Sequence, residues 1–164
     1  MLAALSTAPA PPATVRRRLT QRTENGSILV MTTLAIHDVS GGVLAVTLAD
    51  LIALLGPRTR MSSWIAAPVR APSAPYDWFD VIGDSAGDLE ALAQSGAPIA
   101  GEQLLALARS TRQIIWGGFA AYEGQAASPW LTIRFIDSSW CGIETDDAKA
   151  LAGIRAHYSD VQTL

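Results

Sequence analysis

Apolar and polar positions alternate most regularly in the C-terminal third of the chain. Across residues 131–135 the alternation places Leu131, Ile133 and Phe135 on one face of a strand. Strands are predicted over residues 113–122, 130–136 and 140–144. The polar turn at residues 137–139 is short, which favours antiparallel pairing of the strands on either side of it. The segment is therefore expected to form an antiparallel three-stranded meander.

Helix signals lie upstream of this meander. Thr47 and Asp50 match a capping box, in which a hydroxyl and an acid three residues later satisfy free amides at a helix start. The apolar residues that follow end at Gly56-Pro57. A second helix is predicted over residues 86–95, because Gly96 is typical of helix C-termini. A third is predicted over residues 99–110, with an apolar side formed by Leu104, Leu105, Leu107 and Ala108.

The last predicted helix begins at Thr145. Threonine is a good N-cap residue, and Asp146 and Asp147 fall in the first turn, where the helix dipole favours negative charge. The apolar stripe of this helix consists of Leu151, Ile154 and Tyr158.

Two β-rich runs are predicted in the N-terminal half. Residues 28–39 form the first, which is stopped by Ser40-Gly41-Gly42. Residues 63–69 form the second, with one face made of Ile65, Ala67 and Val69. A proline-rich loop follows and leads to the acidic, aromatic residues 76–80.

Together these elements predict an α+β fold, with a mostly antiparallel sheet and helices packed on one face. The Ala/Pro/Arg-rich residues 1–26 are expected to form a disordered arm, and residues 27–164 a single domain. In the arm, the basic run Arg16-Arg17-Arg18 follows the apolar stretch, which is the reverse of a secretory signal. Cys141 is the only cysteine, which excludes an intrachain disulfide and fits a cytoplasmic protein.

Charge is sparse and unevenly distributed. Residues 1–70 contain seven Arg and three acids, whereas residues 71–164 contain twelve acids and five bases. An acidic domain disfavours nucleic acid and favours a protein partner with a basic surface. No apolar window is long enough to cross a bilayer, so no membrane partner is expected. The Arg-rich, Lys-poor composition indicates a bacterial source.

One motif has a catalytic mechanism attached. Residues 83–87 have the form G-x-S-x-G and resemble the nucleophile elbow of α/β-hydrolase esterases, especially the hormone-sensitive-lipase type. The resemblance implies a serine hydrolase with a catalytic set of Ser85, Asp137 or Asp146, and His157. The competing interpretation is structural, because Ser85 and Asp88 also match a capping box and would begin a helix.

The remaining reactive side chains have structural explanations. Cys141 alternates with Ile143 and is expected to be a small buried core residue, not a thiolate activated by His37 or His157. His157 and Asp160 alone do not complete a metal site. We therefore expect no catalytic residue, no metal and no cofactor.

An acidic, aromatic surface is the expected binding site. Trp78 lies between Asp77 and Asp80 in a proline-bounded loop, where it forms either a flap over the core or an exposed anchor for a partner. A second group of acids lies near the last predicted helix, with no base among its sequence neighbours. The predicted partner-binding residues are Asp77, Trp78, Asp80, Asp137, Glu144, Asp146 and Asp147.

These observations predict a non-enzymatic bacterial protein-binding domain of the immunity-protein, antitoxin or inhibitor kind. The first alternative is the Ser85 hydrolase. The second is a small-ligand-binding protein, with Trp78 and the Gly117-Gly118 region lining an apolar pocket.

Overall fold

The computed structural model describes residues 22–24, 27–70 and 76–164. Most of the predicted N-terminal arm lies outside these residues, and so does part of the proline-rich loop. Of the arm, only Arg22–Glu24 is described, and it forms β1, which pairs antiparallel with β2 (Ser27–Leu29). The run predicted as one strand over residues 28–39 is thus divided among several short strands.

The other strands of the described residues are β3 (Thr32–Ile36), β4 (Val39–Ser40), β5 (Val43–Leu44), β6 (Ser63–Ala67), β7 (Val69–Arg70), β8 (Asp77–Trp78), β9 (Asp80–Gly83), β10 (Ile99–Ala100), β11 (Thr111–Tyr122), β12 (Leu131–Ile136), β13 (Trp140–Thr145) and β14 (Val161–Thr163). The helices of the same residues are α1 (Leu48–Leu54), α2 (Pro57–Met61), α3 (Ala86–Ser95), α4 (Gly101–Arg109) and α5 (Ala148–His157). None of these helices is long and apolar enough to span a bilayer.

The main sheet has the strand order β10-β6-β11-β12-β13-β3-β14, and every neighbouring pair is antiparallel. Strand β9 also pairs antiparallel with the first half of β11, whereas β6 pairs with its second half. Between β6 and β9 the chain leaves the sheet and forms the β7–β8 hairpin. The α+β prediction and the C-terminal meander are therefore confirmed.

The helices lie against one face of this sheet, which we call the inner face. Apolar residues of this face form one core with the helices, and they include Leu34, Ile36, Trp64, Phe119, Ile133, Phe135, Cys141 and Ile143. From the helices the core receives Leu51, Leu89, Leu104 and Ile154, each almost fully buried. Burying each large apolar side chain contributes roughly 1.5–3 kcal/mol.

Strand β6 presents the opposite side chains to the core from those that its sequence pattern suggests. The alternation of Ile65 and Ala67 was expected to mark one face, but the buried side chains are Trp64 and Ala66. Trp64 is the larger group, and its indole Nε1 donates to the Thr59 carbonyl at 2.8 Å, so its polar atom is satisfied in the core. Ile65 and Ala67 consequently point to the other face.

Helix α2 was not predicted, and the boundaries of the other helices follow the predicted signals with two exceptions. Thr47 caps α1 by accepting from the Asp50 amide at 3.1 Å, and α3 ends at Gly96, whose φ is 65°. The third predicted helix begins later than expected, because Ile99–Ala100 pairs with β6 as β10. The caps at Thr47 and Gly96 follow from the residues at the helix ends themselves. The start of α4 instead depends on the pairing of β10 with β6.

The start of α5 is the second exception. Thr145 was predicted as the N-cap, but it is fully buried at the end of β13, where its hydroxyl donates to the Trp130 carbonyl at 2.7 Å. Asp147 is the N-cap and accepts from the amides of Lys149 and Ala150. Asp147 can cap the helix because its carboxylate accepts from two free amides at the helix start. Thr145 cannot do so, because its hydroxyl is bound within the sheet.

Candidate protein-docking face

The other face of the sheet, which we call the outer face, carries large apolar side chains although none of the described helices packs against it. Asp80 on β9 pairs with Trp116 on β11, and Ile136 on β12 pairs with Trp140 on β13. The β11–β12 register places Ile136 beside Trp116, because Gly117 pairs with Phe135. The Trp140 ring stacks on His37, with centroids 6.1 Å apart. These five residues cross the sheet in one line, which we call the aromatic row.

The next line of outward positions consists mostly of small residues. Gly118 pairs with Ala67 and Arg134, and Gly142 pairs with Arg134 and Ala35. A Cβ atom on Gly142 would lie 3.0 Å from Cζ3 of Trp140, so the indole lies over this glycine. Apart from Arg134, the positions beside the aromatic row therefore have small side chains, against which larger groups such as the Trp140 ring can pack.

The apolar residues of the aromatic row do not belong to the core. Trp116, Ile136 and Trp140 are half-buried, and none of them is part of the core cluster or packed against it. Antiparallel sheets usually expose polar side chains on a face that helices leave uncovered. An apolar, aromatic stretch in this position is typical of an interaction surface.

The β7–β8 hairpin adds two further aromatic side chains. Tyr76 is 56% exposed and Trp78 is 37% exposed, and their ring centroids are 5.0 Å apart. Opposite them on the hairpin, Arg70 Nε binds Asp77 Oδ1 at 2.9 Å. The hairpin is thus closed by an ion pair and presents a tilted pair of rings to solvent, so Trp78 is not a flap buried over the core.

The predicted acidic residues divide between the two ends of the sheet. Asp80 is in the aromatic row, and Asp137 lies in the β12–β13 turn, where the Ser138 amide donates to the Ile115 carbonyl at 3.1 Å. Asp137 and Ser138 have φ values of 51° and 54°, as in the turns that suit two-residue hairpins. Sequence-distant Asp80 and Asp137 therefore flank the β11 segment that contains Trp116.

The remaining predicted acids have partners or lie elsewhere. Glu144, on the outer face, accepts from Arg134 at 2.9 Å. Asp146 and Asp147 lie at the start of α5, at the far end of the sheet, and Asp147 is bound by Arg58. The structure therefore does not gather the seven predicted residues into one surface.

At this far end Arg58 is held in a site that we call the Arg58 clamp. Its guanidinium binds Glu123 through two hydrogen bonds, at 2.7 and 2.9 Å, and Asp147 at 2.6 Å. Its central carbon lies 3.8 Å from the centre of the Trp130 ring. The indole is fixed in turn, because its Nε1 donates to Ser62 Oγ at 2.9 Å.

The charges of the clamp shift one another's pKa values. Hydrogen bonds to Glu123 raise the pKa of Arg58, and the same bonds lower the pKa of Glu123. Burial alone would raise the pKa of Asp147, but the amide of Ala150 and the Arg58 guanidinium lower it below its usual value. All three groups are therefore charged at neutral pH.

Ser85 occupies the predicted helix start between β9 and α3. Its carbonyl accepts the first helical bond from Leu89, but its side chain makes no capping hydrogen bond. The residue is only 6% exposed, whereas a nucleophile elbow presents its hydroxyl to substrate. In the described part of the chain no hydrogen bond joins Ser85 to Asp137 or His157, and the His157 ring packs edge-on against Tyr158.

Two other predicted groups are enclosed by the fold. Cys141 is completely buried, and this burial raises the pKa of its thiol. A Cβ atom on Gly117 would meet Phe79 at 3.1 Å, and one on Gly118 would meet Val69 at 3.0 Å. The double glycine therefore allows close packing on both faces of the sheet.

Sequence reasoning missed the residues that make the outer face distinctive. Trp116 and Trp140 lie in the strands predicted over residues 113–122 and 140–144, but neither they nor Arg58 are among the predicted binding residues. The available signal was the alternation along β12 and β13, where Ile136 and Trp140 are out of phase with the core positions.

Comparisons with protein-family models, curated proteins and solved structures found no match to this chain.

Proposed function

We propose that this protein is a non-enzymatic bacterial binding domain, active in the cytoplasm, that docks a protein partner on its outer face. The observation that carries the proposal is the aromatic row, in which Trp116, Ile136 and Trp140 lie side by side outside the core. Rigid aromatic side chains on a sheet are effective docking groups, because little side-chain entropy is lost when a partner covers them. An immunity protein, antitoxin or inhibitor would use a surface of this kind.

The β7–β8 hairpin supports the same proposal. Tyr76 and Trp78 are exposed on a hairpin that starts where β6 leaves β11, and Val69 of this hairpin rests against Gly118 on the outer face. The hairpin rings and the aromatic row thus belong to neighbouring parts of one side of the molecule. Their combined area would exclude water from a central contact.

Quantitative capture from a lysate of the source cell tests this proposal. The bait is the full chain, compared with a double variant, Trp116→Ala with Trp140→Ala, and with Met61→Ala. Met61 is 87% exposed on α2, so its loss removes a strongly exposed apolar side chain away from the outer face. We expect a protein recovered in stoichiometric amount by the wild type and Met61→Ala, and at least about tenfold less by the double variant. Equal recovery by all three baits, or no stoichiometric protein with the wild type, would refute the proposal.

A further inference from the structure

Each end of the sheet has two carboxylates and an indole, and at one of these ends a guanidinium is bound by all three groups. In the Arg58 clamp, two carboxylates and an indole surround a guanidinium. At the other end Asp80 and Asp137 flank the strand segment of Trp116. Within the residues that the structure describes, neither of these acids forms an ion pair.

Two arginines near the outer face are already paired with acids. Arg134 is bound to Glu144, and Arg70 is bound to Asp77. Arg112, on the first half of β11, lines a small cavity with Val43 and Ala108 on the side of the core. The carboxylates beside Trp116 therefore have negative charge that these neighbouring arginines do not neutralise.

The geometry points to the Trp116 end of the outer face as the receptor for an arginine side chain of the protein partner. This inference rests on the proposed function, and it assigns the chemistry of the contact. The guanidinium would lie on the Trp116 indole and donate to Asp80 and Asp137, as Arg58 does to Trp130, Glu123 and Asp147. Stacking and two-carboxylate binding suit the planar guanidinium better than an ammonium group.

The position of Asp137 makes the contact specific. Its backbone is in the left-handed region, with φ at 51°, and the turn is closed by the Ser139 amide donating to the Ile136 carbonyl at 2.9 Å. Because the backbone of this turn is already fixed, the Asp137 carboxylate loses little conformational entropy when it binds a partner group. Trp140, two positions beyond Ser138, provides the apolar surface for the residues next to the bound arginine.

A peptide probe tests this inference without knowledge of the partner. The probe is acetyl-Gly-Arg-Gly-Arg-Gly-Arg-Gly-amide, and its matched control has citrulline in place of each arginine, which keeps the shape and removes the charge. Binding is followed through the indole N–H signals in proton–nitrogen NMR spectra of the full chain, with the Trp116 signal assigned from Trp116→Phe. The variants are Asp80→Asn with Asp137→Asn and, as a control of equal charge change on α3, Asp88→Asn with Glu90→Gln.

We expect the arginine peptide to shift the Trp116 signal, and the citrulline peptide to leave it in place. The affinity should fall about tenfold in the Asp80/Asp137 variant and less than about twofold in the α3 control. Equal shifts with both peptides, equal weakening in both variants, or no shift at all would overturn the inference. Capture that depends on Trp116 and Trp140 would then still support the proposed function, so the two failures are distinguishable.

Discussion

Strand β12 carries Ile133 and Ile136 three residues apart, and they point to opposite faces of the sheet. Ile133 is fully buried beneath the helices, whereas Ile136 lies half-buried between two tryptophans on the face opposite the described helices. The same side chain therefore serves the core at one position and a surface at the other. The difference suggests that apolar residues of the inner face determine stability, and that those of the outer face are available for binding.

The largest predicted effect compares these two isoleucines directly. Ile133→Ala should lower the free energy of unfolding by about 2–5 kcal/mol, because it leaves a cavity in close-packed surroundings. Ile136→Ala should lower it by about 1 kcal/mol or less, because solvent and the neighbouring rings fill the space. Urea denaturation of both variants measures the two values. Equal losses would show that the two faces are not divided in this way.

Two glycines allow the same comparison by addition of a methyl group. A Cβ atom on Gly101 would collide with the Thr59 carbonyl oxygen, in the helix layer, where the backbone cannot yield easily. Gly101→Ala should therefore cost about 3 kcal/mol. On the outer face, Gly142→Ala meets only the far edge of the Trp140 ring, so the expected cost is below about 1 kcal/mol. Thermal unfolding measures both, and a tolerated Gly101→Ala would contradict the close approach of Gly101 on α4 to Thr59 on α2.

The fold was more accessible to sequence reasoning than the surface. The buried alternation of Leu131, Ile133 and Phe135 and the signals at Thr47 and Gly96 are local, and the structure confirms them. The start of α5 was predicted wrongly because Thr145 is held by the sheet through the distant Trp130 carbonyl. The pairing of Asp80 with Trp116 depends on strand order, and that of Arg58 with Asp147 on how α2 and α5 are placed; short-range patterns encode neither.

The Arg58 clamp allows a comparison between the two ends of the sheet. Arg58→Ala should lower the free energy of unfolding by about 1–2 kcal/mol, because it removes the cation–π contact and leaves two carboxylates together. The matched control is Arg60→Ala on the same helix. Arg60 approaches Glu102 only at 3.7 Å, so its loss should change stability by about 0.5 kcal/mol or less. Equal effects would mean that the clamp is an ordinary surface ion pair.

The smallest effect concerns pH. Glu123 and Asp147 have pKa values lowered by folding, so their contribution to stability is present above their unfolded pKa values of about 4. It is lost as the pH falls through the lowered folded values. Arg58→Ala should flatten this acid dependence, mainly through Glu123, since the amides of α5 still lower the pKa of Asp147. Denaturation curves between neutral and acidic pH test the slope, and an unchanged slope in Arg58→Ala would contradict this assignment.

The division between the two faces is tested most directly by hydroxyl-radical footprinting of the full chain, purified and in a lysate of its source cell. Mass spectrometry gives the oxidation rates of Trp116 and Trp140, each divided by that of Met61, which is 87% exposed on α2. If the outer face docks a partner, both ratios should fall at least about threefold in the lysate, because the indoles become covered. Unchanged ratios would mean that the aromatic row remains open to solvent in the presence of the cell's proteins, and the account would be wrong.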